Sequence, residues 1–254
     1  MNITTKKPAD WTEQDIADFW DWQSKSVSRQ HQYFTSVMAP GIVIFLKVKG
    51  LLKGKVLDYG CGAGHLLQQM IKVDHVELYG LDFSEDSIAV TQQRIINAPA
   101  VKQLVVATAL PSPFSNNTFD TITLIETIEH LQDAKLQETF NELYRLLKPG
   151  GKLFITTPFS EDLSRHMHFC PFCKTEFHHI QHMQSFTVDG LSALAVQHHF
   201  AVEYCNNINI EKLRLGVVKF FIKSILKNIV AAMGLMEKVA EKKPNLVAIL
   251  SKPL

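Results

Sequence analysis

The chain predicts a single doubly wound α/β domain, and three observations carry that prediction. From Gly54 onward, short apolar runs alternate with amphipathic segments, the rhythm of strands and crossover helices in a parallel sheet. The first run ends in Gly60-Cys61-Gly62-Ala63-Gly64, at the kind of strand-to-helix turn where open α/β sheets receive ligands. With 254 residues, 46% hydrophobic and 20% charged, the chain can bury one large core and has an ordinary globular composition.

Each element follows in order. Residues 1–50 are expected to form an N-terminal helical lid. Ile16, Phe19, Trp20, Val27 and Phe34 recur in a loosely helical pattern, and Pro40-Gly41 separates them from a second apolar stretch, IVIFLKVKGLL. Residues 51–158 form the core. KVLDYG, VELYGLD, VKQLVVATA and FDTITLIET read as strands, with HLLQQMIKV and EDSIAVTQQRII as helices between the first three. AKLQETFNELYRLLK sets Leu136, Phe140, Leu143, Tyr144 and Leu147 at helical spacing and stops at Pro149-Gly150-Gly151, a proper helix terminator. KLFITTP is the fifth strand. Residues 159–186 break the rhythm with a cysteine/histidine cluster. Within 187–254 the pattern resumes with a helix near 187–198, a strand around FAVEYC, a long helical candidate over about 211–243 and a last strand in PNLVAILSKPL.

A formal net charge of +1 gives no global field toward nucleic acid or acidic membrane, so no nucleic-acid partner is expected. The N-terminal stretch lacks the apolar run of a signal peptide, and nothing approaches the ~20 apolar residues of a membrane span. The four cysteines, Cys61, Cys170, Cys173 and Cys205, are expected to be thiols or metal ligands in a cytoplasmic protein.

The chemistry concentrates at the first turn. Glycines there let the backbone bend sharply and let a ligand touch the main chain. Asp82, ending the second strand, can accept both hydroxyl protons of a ribose. Asp58, just before the glycines, would repel a pyrophosphate and welcome a cation. The spacing G-x-G-x-G also differs from the G-x-G-x-x-G of dinucleotide sites.

VLDYGCGAGHLL, LYGLDFSEDSI, NTFDTITLIETIEHL and LLKPGGKLFITTP together resemble the ordered motifs of class I S-adenosylmethionine-dependent methyltransferases, over about residues 54–158. The resemblance implies a Rossmann-like sheet of seven mostly parallel strands, the last antiparallel, with helices on both faces. It implies S-adenosylmethionine across the carboxyl ends of strands one to four. Asp58, Gly60, Cys61, Gly62, Gly64 and Glu126 would border its methionine portion, Asp82 would hold the ribose and Phe83 would pack on the adenine. Where many relatives carry an acidic residue after strand three, Ala109 offers only backbone. Because the sulfonium already activates the methyl group, alignment of the acceptor is the main task, worth about 7–11 kcal/mol in favourable cases.

Glu126-Thr127-Ile128-Glu129-His130 resembles the E-x-x-E-H of ubiquinone-biosynthesis O-methyltransferases and small-RNA 2′-O-methyltransferases, where it contributes to a divalent metal. Glu129 and His130 could instead cap the next helix, and His130 is a candidate base near neutral pH. The segment from Cys170 to His182 reads C-x2-C-x4-H-x3-H through Cys170, Cys173, His178 and His182, which suits a structural tetrahedral zinc. It resembles an insert found in a subset of these methyltransferases; His166, His168 or His179 could replace a histidine, His182 could face the substrate cleft instead, and free buried thiols are the alternative. Between 211 and 228, Lys212, Arg214, Lys219, Lys223 and Lys227 face Glu211 alone, a basic amphipathic pattern that fits a membrane surface, a dimer face or core packing.

The expected activity is methyl transfer to a small-molecule or lipid-linked acceptor, on oxygen. The alternative, a nucleic-acid or protein methyltransferase with the zinc loop as recognition element, is weakened by the missing basic stripe. It also lacks an Asn/Asp-Pro-Pro-aromatic signature after strand four.

Overall fold

A computed structural model describes residues 11–172, 174–214 and 244–254. Its elements run α1 (Glu13–Ser24), α2 (Val27–Gln30), α3 (Phe34–Val48), β1 (Gly54–Tyr59), α4 (His65–Met70), β2 (Val76–Asp82), α5 (Glu85–Arg94), β3 (Val101–Val106), β4 (Phe119–Ile125), α6 (Asp133–Leu146), β5 (Leu147–Pro158), β6 (Met167–Phe169), β7 (Glu176–His178), α7 (Val188–Gln197), β8 (Ala201–Ile208) and β9 (Asn245–Ser251).

Seven strands form one sheet in the order β3-β2-β1-β4-β5-β9-β8. Neighbours from β3 to β5 pair in parallel, and β9 runs antiparallel between β5 and β8. The strand order reverses between β1 and β4, so the carboxyl ends of these strands open a crevice. β9 is buried along its whole length, as a strand covered on both faces must be. On one face Phe119, Ile122 and Leu153 pack with Phe140, Leu143 and Leu146 of α6 and Leu191 of α7. On the other, Val56, Leu78 and Val247 pack with Ile42 and Leu46 of α3 and Leu66, Leu67 and Met70 of α4.

Four local differences from the sequence reading have physical causes. Pro40-Gly41 does not break the chain, because α3 runs through Pro40. An interior proline costs about 3 kcal/mol, and the buried Ala39, Ile42, Val43 and Leu46 around it outweigh that cost. Gly41 is there for proximity, since a Cβ would lie 3.0 Å from the Ile210 carbonyl oxygen. β5 begins at Leu147, pairing with Phe119 before a register shift resumes at Thr121 and Lys152, so Pro149-Gly150-Gly151 is an irregularity of the strand. β3 ends at Val106 and leaves Ala109 exposed beyond it. The insert forms a small antiparallel hairpin, β6 with β7, so His178 and His182 do not share a helix face. Of the expected late helix, only its start at 210–214 is described; Lys219, Lys223 and Lys227 lie outside the described residues.

Candidate active site

The first half of the site is the β1 turn. Gly60, Gly62 and Gly64 have φ of +75°, +50° and +75°, a region open to glycine and strained for other residues. Space adds a second constraint. A Cβ on Gly60 would fall 2.9 Å from Thr127 Oγ1, and one on Gly64 2.7 Å from Thr91 Cγ2. Cys61 contributes main chain only, because its buried side chain turns toward Gly80 of β2.

Two buried carboxylates flank this turn. Asp58 accepts a hydrogen bond from Thr123 Oγ1 at 2.8 Å, and burial pushes it up to about 7. Asp82 accepts from the Gly62 and Ser84 amides at 2.8 and 3.0 Å, and burial pushes it up to about 6. Burial raises a carboxyl pKa because the ionised form loses its hydration. A cation entering the turn would restore the ionised form. Phe83 follows, half-buried.

The lid closes over the turn through residues that no sequence motif marked. Ser84 Oγ donates to Asp21 of α1 at 2.5 Å, and Ser24 Oγ lies 2.7 Å from Ser87 Oγ and 3.1 Å from the Tyr33 hydroxyl. The Tyr33 ring lies where a Gly62 Cβ would approach it at 3.5 Å. Trp20 meets both Tyr33 and His130 edge-on, with ring centroids 6.0 and 4.8 Å apart. The only available hint was the aromatic density of 11–36.

The second half gathers after β4. Glu126 holds φ +46°, a strained value for a non-glycine residue that tends to mark function. Its carboxylate accepts from Thr156 Oγ1 at 2.8 Å, and burial pushes it up to about 7. Glu129 is fully buried; Oε2 accepts from Thr157 Oγ1 at 2.9 Å, and Oε1 has no partner. Burial, followed by the charge of Glu126, pushes Glu129 well above the usual carboxylate range.

Two expectations for this cluster fail. Glu129 and His130 do not cap the next helix: they lie in a 3-10 turn, Ile128–His130, and the N-cap of α6 is Gln132. His130 is not a base tuned near neutral pH either. Burial, then the neighbouring His182, holds it down to about 3, so it is a neutral imidazole with Nδ1 3.3 Å from the Gln181 carbonyl oxygen.

The insert completes this half differently from its spacing. The rings of His178 and His182 stack at 4.7 Å and 20°. His182 Nδ1 lies 2.5 Å from Glu161 Oε2, and its Nε2 lies 4.0 Å from Glu129 Oε1. Ligand atoms of Glu129, His130 and His182 fall within 4.8 Å of one another, as do those of Glu161, His178 and His182. Among the described residues Cys170 joins neither group and is a half-buried free thiol; Cys173 lies outside the described residues. Of the predicted quartet, the described Cys170 is thus not grouped with the histidines. Cys170 follows β6, its amide bonded to the Thr175 carbonyl at 2.9 Å, while the chain turns back at Gln181 with φ +59° to bring His182 in. Glu161 was missed because it lies seventeen positions before His178 and outside the Cys/His motif.

The Methyltransferase domain family matches residues 29–204. The chain belongs to this family. Phosphoethanolamine N-methyltransferase 3 of Arabidopsis thaliana is 36% identical over 102 residues, 40% of this chain and 20% of that protein. Ubiquinone biosynthesis O-methyltransferase of Aliivibrio fischeri is 31% identical over 109 residues, 42% of this chain and 45% of that protein. The match thus spans less than half the length of either curated relative. In fold, the chain superposes on the 1,6-didemethyltoxoflavin-N1-methyltransferase of Burkholderia thailandensis, solved with S-adenosylhomocysteine, at TM-score 0.60 and 18% identity. That superposition covers 96% of this chain and 91% of the other.

The methyltransferase's own residues fit the S-adenosylmethionine of its family. Gly60, Gly62 and Gly64 form a cradle whose walls leave no room for a side chain at two of the three positions. Asp58 and Asp82 are buried carboxyl groups beside it, which a sulfonium would ionise and a ribose could bond.

Proposed function

We propose that this methyltransferase moves the methyl group of S-adenosylmethionine to an oxygen of a small-molecule or lipid-linked acceptor, with a divalent metal beside the acceptor. The observation that carries this reading is Glu129 Oε1, fully buried and without a hydrogen-bond partner. Such an atom costs about 1–3 kcal/mol when left unsatisfied. It faces His182 and lies in one group with His130, a carboxylate-and-imidazole set that suits a first-row divalent ion. A bound ion would supply Lewis acidity that lowers the pKa of an acceptor hydroxyl.

Glu129, His130 and His182 would hold the ion, with Thr157 orienting the Glu129 carboxylate. Trp20 and Tyr33 wall the crevice from the lid side and would exclude water. The metal is assigned to this set in preference to Cys170, Cys173, His178 and His182, because Cys170 stands apart from the histidines. The similarity to an O-methyltransferase of ubiquinone biosynthesis supports an oxygen acceptor. The apolar, basic sequence over 211–228 supports a lipid-linked one. No described helix is long and apolar enough to cross a membrane.

Comparing metabolites of cells with and without the protein should reveal one species lighter by a methyl group. Purified protein given deuteromethyl-labelled cofactor should place the label on an oxygen of that species. Chelation should abolish transfer, and manganese or magnesium should restore it. A label on nitrogen or carbon would overturn the oxygen assignment.

A further inference from the structure

We infer that Glu161 is a positioning residue that fixes the tautomer and orientation of His182 toward the metal centre. The inference rests on the metal reading above and concerns a residue that no motif marks.

Glu161 sits at the ends of two stacked rings. Its Oε2 lies 2.5 Å from His182 Nδ1, and its Oε1 lies 3.8 Å from His178 Nε2. A carboxylate accepts only, so the short contact puts the His182 proton on Nδ1. His182 Nε2 is then an unprotonated lone pair, and it is the atom facing Glu129 Oε1 at 4.0 Å. A carboxylate on one imidazole nitrogen that readies the other for a metal is a recurrent second-shell arrangement.

His178 has the complementary state. Its Nδ1 accepts the His182 amide at 3.3 Å, which leaves its own proton on Nε2, facing Glu161 Oε1. At 3.8 Å this is no hydrogen bond, and His178 Nε2 is buried without one; His178 supports His182 by stacking against its ring. With Glu161 and His182 it forms the second group of possible ligand atoms, apart from the one that includes Glu129.

The backbone keeps Glu161 in place. Ser185 Oγ donates to the Glu161 carbonyl at 2.8 Å, and the Ser160 amide bonds the Phe186 carbonyl at 2.9 Å. The Glu129 carbonyl accepts the Met183 and Gln184 amides at 2.7 and 3.0 Å, tying the segment that carries His182 to the segment that carries Glu129. Both ends of the insert are therefore anchored beside the centre. Flipping the His182 ring would break the 2.5 Å contact and put the Cε1 carbon where Nε2 now faces Glu129.

The test titrates the full chain with Co²⁺, read by visible absorption, and with Zn²⁺, read by calorimetry. Wild type should bind, and His182→Ala should not. Glu161→Ala should weaken binding by about 10–100-fold and change the cobalt spectrum. Glu161→Gln keeps an acceptor for Nδ1–H and should fall between the two. Without metal, wild type should show a downfield His182 Nδ1–H proton resonance that Glu161→Ala abolishes. If wild type binds metal and both Glu161 variants bind as tightly with the same spectrum, the positioning role is wrong. If wild type binds no metal, or His182→Ala binds as well as wild type, the metal reading itself fails.

Discussion

The β1 turn and the segment from Glu161 to His182, the cofactor wall and the acceptor wall of the proposed function, are built by opposite strategies. At the β1 turn everything is local: three glycines with positive φ fall within five residues, and Asp58 lies two residues before the first. The acceptor wall is assembled from distance. Glu129, Glu161 and His182 come from three stretches of chain and meet only because β4, β5 and the insert end at the same rim. The cofactor wall is therefore rigid by backbone chemistry. The acceptor wall depends on side-chain contacts among buried polar groups, where losing one partner is costly.

The largest expected effect strikes the acceptor wall alone. Glu129→Gln removes the carboxylate that would hold the ion and keeps the side-chain volume. Metal binding should fall beyond detection and methyl transfer at least ~100-fold, the upper end for loss of an interaction at a metal centre. S-adenosylmethionine affinity should stay within about twofold of wild type, since the two walls share no ligand. Calorimetry for cofactor beside elemental analysis for metal separates the two; a parallel loss of both would show that the walls are one unit.

Asp82→Ala is the reciprocal cut. It removes the acceptor of the Gly62 and Ser84 amides and the expected ribose clamp. Cofactor affinity should drop at least tenfold, about 1.4 kcal/mol, with metal content unchanged. Unchanged cofactor affinity would refute the assignment of Asp82.

Acidity should divide the walls more gently. In the cofactor-free protein burial raises Asp58 to about 7 and Asp82 to about 6 from an ordinary 3.8. The unfolded chain releases these protons near 3.8 and the folded chain only near 6–7. Their contribution to stability is thus fully present below the ordinary value and lost as pH rises through 6 and 7. A cationic ligand favours the ionised forms, so its affinity should rise several-fold over the same window. Thermal unfolding at about pH 5.5 and about pH 8 checks both signs: the free protein loses this contribution at the higher pH, and the cofactor-induced shift in Tm grows. Asp58→Asn should flatten both trends.

The sequence made the cofactor wall legible because its constraints are local in the chain. A backbone that needs positive φ demands glycine, and a strand fully covered on both faces, as β9 is, announces itself as an apolar run. The fold followed from the same kind of signal, apart from Pro40 within α3 and the early start of β5. The acceptor wall was legible only in part. Glu126, Glu129 and His130 stood out as a motif, but the capping and base roles read into them were local explanations for groups held by distant partners, Thr156, Thr157 and Gln181. Glu161 left no trace in spacing, because its partners are reached through the turn at Gln181.

The smallest expected effect concerns the pair that spacing made most conspicuous. C-x2-C before two histidines invites a thiolate site, and such a site would lose its metal when both thiols go. Cys170 instead lies outside both groups of ligand atoms among the described residues, and its amide serves the tight bend after β6. Exchanging Cys170 and Cys173 for serine together should therefore leave the metal content of purified protein unchanged. Methyl transfer should change by less than about twofold. Elemental analysis of wild type and the double variant, both prepared without chelator, decides the matter. Loss of one metal per chain in the double variant would return the histidines to the thiolates and remove the insert from the acceptor wall. Retention would leave Glu129, Glu161 and His182 as the residues that distinguish this wall from the cofactor side.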